Sequence, residues 1–220
     1  MGIWEPFDPF SYFFHTILGG LGILGAIVAL SVLKGSGKHI WAGRLFAFGA
    51  LIAATTAVVF SFTEFSGAAI SSSVMTFSAL GAALFSLRQK RGVVFWGELL
   101  TTTLMGLSFL WLTLGVVMSI ESGLWLPPLL YSLFPLGLFI GDIRFLRLNQ
   151  QQRSSAGLSR HFSRMAFTLA IAVHAPLVTF ADELPVHPAV AFFGPFLIWP
   201  AIVLTFKRRQ DKGRLALAQR

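Results

Sequence analysis

The chain has no cysteine, which excludes disulfides, thiolate metal sites and cysteine nucleophiles together. It is also poor in charge. Asp, Glu, Lys and Arg make up 12% of its 220 residues, about half of what a soluble domain carries. Acidic side chains are the scarcest of these, nine against 17 Lys and Arg. No HExxH, Walker A, GxSxG or glycine-rich strand–turn–helix motif occurs, so no catalytic motif is found and a protein that is not an enzyme is expected. A basic n-region is missing as well. The first ten residues hold Glu5 and Asp8 and no Lys or Arg, so no cleavable signal peptide is expected. Pro6 stands where a myristoylation site needs Ser or Thr.

What is abundant is apolar surface: 55% of the residues are hydrophobic and the mean hydropathy is +0.74. A helix needs about 20 apolar residues to cross a bilayer core. Seven stretches qualify, at about 11–33, 40–62, 68–87, 93–120, 125–141, 164–181 and 189–206. The predicted fold is therefore all-α, a polytopic transmembrane bundle of about seven helices. Residues 1–206 form one transmembrane domain and 207–220 a basic cytoplasmic tail. Small residues recur at helical spacing along three spans, each stripe a seam along which backbones can approach closely in lipid. The first two stripes begin at a histidine: His15, then Gly19, Gly22, Ala26 and Ala29; His39, then Gly43, Ala47, Ala50, Ala54, Ala57 and Ser61; the third is Ser72, Thr76, Ala79, Ala83 and Ser86.

Every Lys and Arg falls in alternate connections or just inside helix ends: Lys34, Lys38 and Arg44; Arg88, Lys90 and Arg91; Arg144, Arg147, Arg153, Arg160 and Arg164; then the tail from Lys207 to Arg220. The other side holds Glu5, Asp8, Glu64, Glu121, Asp182 and Glu183. By the positive-inside rule the N-terminus lies outside and the C-terminus in the cytoplasm. The same placement accounts for the net charge of +8 without nucleic acid, because cations flanking spans meet anionic lipids at the cytoplasmic face. Trp4, Phe7, Trp41, Trp96 and Trp125 lie near span ends, as interfacial belts do.

Ionisable groups inside a span are costly and mark candidate sites. Glu98, on a stripe with Thr101, Met105 and Ser108, joins Asp142, Arg44, Arg164, His39 and His161 in an expected polar cluster near the cytoplasmic boundary. Such a cluster suits a proton path, an anion site or a ligand pocket. Its structural reading is helix register set by Arg44–Glu98 and by Asp142 with Arg164 or Arg144. The histidines suggest a second chemistry. His39 with His161, and His15 with His174, share depths at which paired imidazoles could hold b-type haem. Against this, His161 and His174 are 13 residues apart, which at about 100° each turns them out of line. Pro176 frees the carbonyl of Ala172 and points to a kinked helix around His174 with a local polar partner. Pro135, Pro195 and Pro200 also suggest irregular helices.

The run HTILGGLGILGAIVALSVLKGSGKHIWAGRLFAFGALIAATTA resembles the opening of an uncharacterised bacterial membrane-protein family, domain of unknown function 2306. The likeness rests on His15, Lys34, Gly35, His39, Gly43 and Arg44, and later on His161, Arg164, Met165 and Pro200. It implies a multi-pass protein of the bacterial inner membrane and brings no assigned activity or cofactor. The expected function is an accessory subunit of a larger membrane complex or a small-molecule-binding membrane protein. The alternatives are a b-type haem electron carrier and a proton-coupled transporter using Glu98.

Overall fold

The computed structural model describes residues 13–62, 66–88, 92–181 and 183–218, with side chains to residue 208. The expectations placed on Trp4, Glu5, Phe7, Asp8, Glu64, Lys90, Arg91, Asp182 and the tail side chains from Arg209 onward lie outside these residues. Seven helices long and apolar enough to cross a membrane occur among the described residues. They are α1 (Phe14–Ser31, opening with a π-helical turn over Phe14–Leu18), α2 (Gly37–Phe60), α3 (Gly67–Ser86), α4 (Val93–Met118), α5 (Leu126–Leu146), α6 (Gln150–Thr179) and α7 (Pro188–Ala218). No strand occurs among them.

Local chemistry sets several starts. Ser36 Oγ accepts from the amide of His39, and Ser66 Oγ from that of Ala69, so α2 and α3 begin on serine N-caps. Pro127 and Pro128 occupy the first turn of α5, where amide hydrogens have no intrahelical acceptor. The largest departure from expectation is α6, which begins at Gln150 and not near residue 164. The segment QQQRSSAGLSR has the composition of a loop. It is helical because Asn149 and Gln152 form a reciprocal capping box, at 2.9 and 3.0 Å, and because its polar face turns inward to buried carboxylates.

Helix α3 is the most enclosed: Met75, Ser78, Ala79, Ala82 and Ala83 have no exposed surface. It packs on α2, α4 and α6, while α5 packs on α4 and α7 on α6. The hairpin of α1 and α2 closes on small residues, as its sequence suggests, but partly along a different stripe. Gly22, Gly25, Ala26 and Ala29 of α1 are buried with Ala42, Phe46, Gly49, Ala50 and Ala54 of α2. A Cβ on Gly25 would lie 2.9 Å from the carbonyl oxygen of Ala42, and one on Gly22 3.1 Å from the Cα of Gly49. Gly25 and Gly49 thus carry the closest approach, although the expected seam omitted both. Gly43 and Ala47 are only half-buried. Between their ends the helices expose mainly apolar side chains: Trp41, Leu45, Trp96, Leu110 and Val117 face outward, as helices in contact with lipid require.

Candidate functional site

Two places in the bundle hold chemistry, one at each end. The first lies at the end where α1, α3 and α5 finish and α2, α4 and α6 begin. Here α4 contributes Glu98, α5 Asp142, and α6 Arg153, Arg160 and Arg164, all buried and both carboxylates with no exposed surface. The arginines share a face because steps of 7 and 4 return to one side of a 3.6-residue helix. Arg153 Nη2 donates to both oxygens of Glu98, at 2.5 and 2.6 Å. Arg160 bridges the carboxylates, with Nε and Nη2 donating to Asp142 Oδ1 at 3.0 and 2.8 Å and Nη1 to Glu98 Oε1 at 3.3 Å. Arg164 Nη2 donates to the same Asp142 oxygen at 2.6 Å and to the carbonyl of Leu138 at 2.7 Å. The guanidinium carbons of Arg153 and Arg160 lie 4.3 and 4.2 Å from the centroid of the Phe145 ring, a cation–π contact for each.

Three guanidiniums against two carboxylates leave one buried positive charge. Helix ends take up part of it. The C-terminus of a helix carries about half a negative charge on its unpaired carbonyls. Arg153 Nη1 donates to Phe145 O in the last turn of α5, and Arg160 Nη1 to Ala82 O near the end of α3. Each contact sets part of that excess charge against the negative end of a helix dipole. Gly157, between Arg153 and Arg160, lets α6 reach the end of α3: a Cβ there would run into the carbonyl oxygen of Ser86.

Of the six residues expected here, the structure joins Glu98, Asp142 and Arg164 and leaves out Arg44, which is exposed on α2. The Arg44–Glu98 pairing is thus replaced by Arg153–Glu98 and Arg160–Glu98. Asp142 pairs with Arg160 and Arg164 and not with Arg144, which is exposed. His39 and His161 lie at the same end and cap helices. Their Nδ1 atoms donate to Ala29 O in the last turn of α1 and to Ala83 O in the last turn of α3, both at 3.0 Å. Lys34 Nζ also donates to Ala29 O, at 2.8 Å. Arg153 and Arg160 are the residues sequence reasoning missed as site members. Their spacing with Gly157 and Arg164, behind an Asn-x-x-Gln capping box, was the signal available.

The second place is a cavity of about 440 Å³ at the opposite end. Its walls come from the start of α3, the end of α4, the start of α5, the end of α6 and the start of α7. Tyr131 Oη lies 3.3 Å from Ser72 Oγ, and the Tyr131 ring stacks on His174 with centroids 5.7 Å apart. Phe192 and Phe196 pack against the same imidazole at 4.8 and 5.1 Å. His174 Nδ1 donates to Phe192 O at 2.9 Å. The polar partner expected near Pro176 is thus a carbonyl of α7 and not the one freed on α6 itself. His15 belongs to another helix pair, bonded to Thr56 Oγ1 at 2.8 Å and packed on Phe60 of α2. The outer histidines expected to pair across haem are therefore engaged with different helices, His15 with α2 and His174 with α5 and α7. No group of three or more His, Asp or Glu side chains suited to a metal ion occurs among the described residues.

The fold defines a class: a polytopic α-helical membrane protein, its apolar helices suited to contact with the bilayer. No protein-family model, no curated protein and no solved structure matches the chain, so the likeness noted from its sequence rests on those residues alone.

Proposed function

We propose that this chain is a small-molecule-binding protein of a bacterial inner membrane, with its N-terminus outside, its C-terminus in the cytoplasm and anionic lipids around its basic end. The observation that carries the reading is the cavity beside His174. Its volume falls within the roughly 300–1,000 Å³ of small-molecule pockets, and its few polar groups converge on apolar walls. The charge network acts as a clamp that holds α4, α5 and α6 in register and closes the other end. Glu98 is poorly placed for proton-coupled transport, because both its oxygens accept from guanidiniums. The family resemblance supports the bacterial setting, and the excess of cations at one end supports the orientation. An accessory subunit would present the same cavity within a larger complex.

The test is the mass of whatever co-purifies with the native protein in mild detergent, compared with Gly115→Leu. Gly115 lines the cavity, and a Cβ there meets nothing within 4 Å, so the larger side chain fills space without a clash at its root. A small molecule present with the native protein and lost from the variant supports the reading; equal retention by both overturns it. An electron-carrier reading keeps only His39 and His161, whose Nδ1 bonds leave each Nε2 as an acceptor, the arrangement seen in metal-binding imidazoles. It requires reducible Soret and α bands in the same sample.

A further inference from the structure

We infer that the cavity selects an uncharged, lipid-soluble molecule bearing a hydroxyl group; this rests on the small-molecule reading above and names its ligand class. A carbonyl oxygen only accepts, so the Nδ1 of His174 that bonds Phe192 O carries the hydrogen. That leaves Nε2 to accept from a ligand. In the same lining, where the Tyr131 ring stacks on His174, Tyr131 and Ser72 bring two hydroxyl hydrogens. One is used between the two oxygens, and the other is free to donate. An acceptor beside a donor matches a hydroxyl group, which gives one hydrogen bond and takes another. A ketone or ether can take but not give. A carboxylate would set its charge against the imidazole acceptor in a cavity whose lining contains no Lys, Arg, Asp or Glu.

Apart from the indole N–H of Trp111, the remaining walls are apolar, among them Leu112, Pro127 and Pro128. Leu114 and Met118, also in the lining, are more than half exposed on the outer face of α4, so the mouth of the cavity opens towards lipid. The ligand therefore enters from the bilayer.

The test uses the full chain in phosphatidylcholine nanodiscs with tritiated farnesol as probe, corrected for empty discs. Farnesyl methyl ether and farnesoic acid serve as competitors that lack the donor hydrogen or carry a charge. Saturable farnesol binding is expected, with each competitor about tenfold weaker than unlabelled farnesol, the loss that one or two unmade hydrogen bonds produce. His174→Phe weakens farnesol by about tenfold and Gly115→Leu abolishes binding. No saturable binding, competitors as effective as farnesol, or unchanged affinity in His174→Phe overturns the inference. Comparing alcohol, ether and acid on the unmodified chain requires no variant to fold. If all three compete equally and Gly115→Leu removes all three, the cavity still binds small molecules and only the hydroxyl selection falls. If Gly115→Leu changes nothing, both readings fall.

Discussion

Replacing Glu98 by Gln removes one of the two buried anions while keeping the side chain's shape. Arg153 then loses its carboxylate and retains the Phe145 carbonyl and ring, and Arg160 retains Asp142. One positive charge in the interior is left unbalanced. Breaking a buried pair from one side costs about 3–5 kcal/mol, because the remaining ion stays desolvated. At about 2–4 °C per kcal/mol for a chain of this length, the midpoint of thermal unfolding should fall by roughly 6–20 °C. Aggregation-coupled size-exclusion after heating in detergent reads this directly. The decisive comparison adds a second change. Glu98→Gln with Arg153→Met removes both members of the pair and restores the charge balance, so it should be more stable than Glu98→Gln alone. Glu98→Gln with Arg44→Met should give no rescue, since Arg44 is exposed. A Glu98→Gln variant that unfolds within 2 °C of the native protein (about 1 kcal/mol or less), or rescue by Arg44→Met equal to that by Arg153→Met, refutes the clamp.

Gly157→Ala should destabilise by about 1–3 kcal/mol through overpacking against the carbonyl of Ser86. Gly43→Ala, where a Cβ meets nothing within 4 Å, should be neutral or gain up to about 1 kcal/mol of helix propensity. Thermal unfolding of both variants separates close backbone approach from propensity. Asn149→Ala should cost about 1 kcal/mol and fray the first turn of α6, read by faster amide exchange at Gln151 and Gln152. Because the chain has no native cysteine, Glu121→Cys and Arg147→Cys give background-free accessibility labelling. The first should react only from outside intact spheroplasts and the second only after permeabilisation; labelling of both from one side would overturn the orientation.

The two halves of α6 show how far sequence reading reached. Its second half is apolar but for Thr168, His174 and Thr179, and a local average finds it, as it finds the other six spans. Its first half is polar, and residue by residue it has the composition of the basic loops that set orientation. A guanidinium at a membrane boundary and a guanidinium turned into the bundle have the same letter and the same charge. In the sequence Arg153 and Arg160 therefore read as topological charges, while the equally basic Arg44 reads as a partner of Glu98 and in the structure is exposed on α2.

Span number and the crowding of cations at one end of the bundle were open to reading from the chain alone, because both follow from local hydropathy and charge order. Pairing was decided elsewhere. Which arginine meets Glu98, and which four other helix ends share a cavity with His174, depends on the rotation of each helix about its axis. That rotation is set by contacts as close as Gly157 against Ser86 and Gly25 against Ala42, between residues far apart in sequence. A polar side chain in lipid takes the partner that this packing brings within reach.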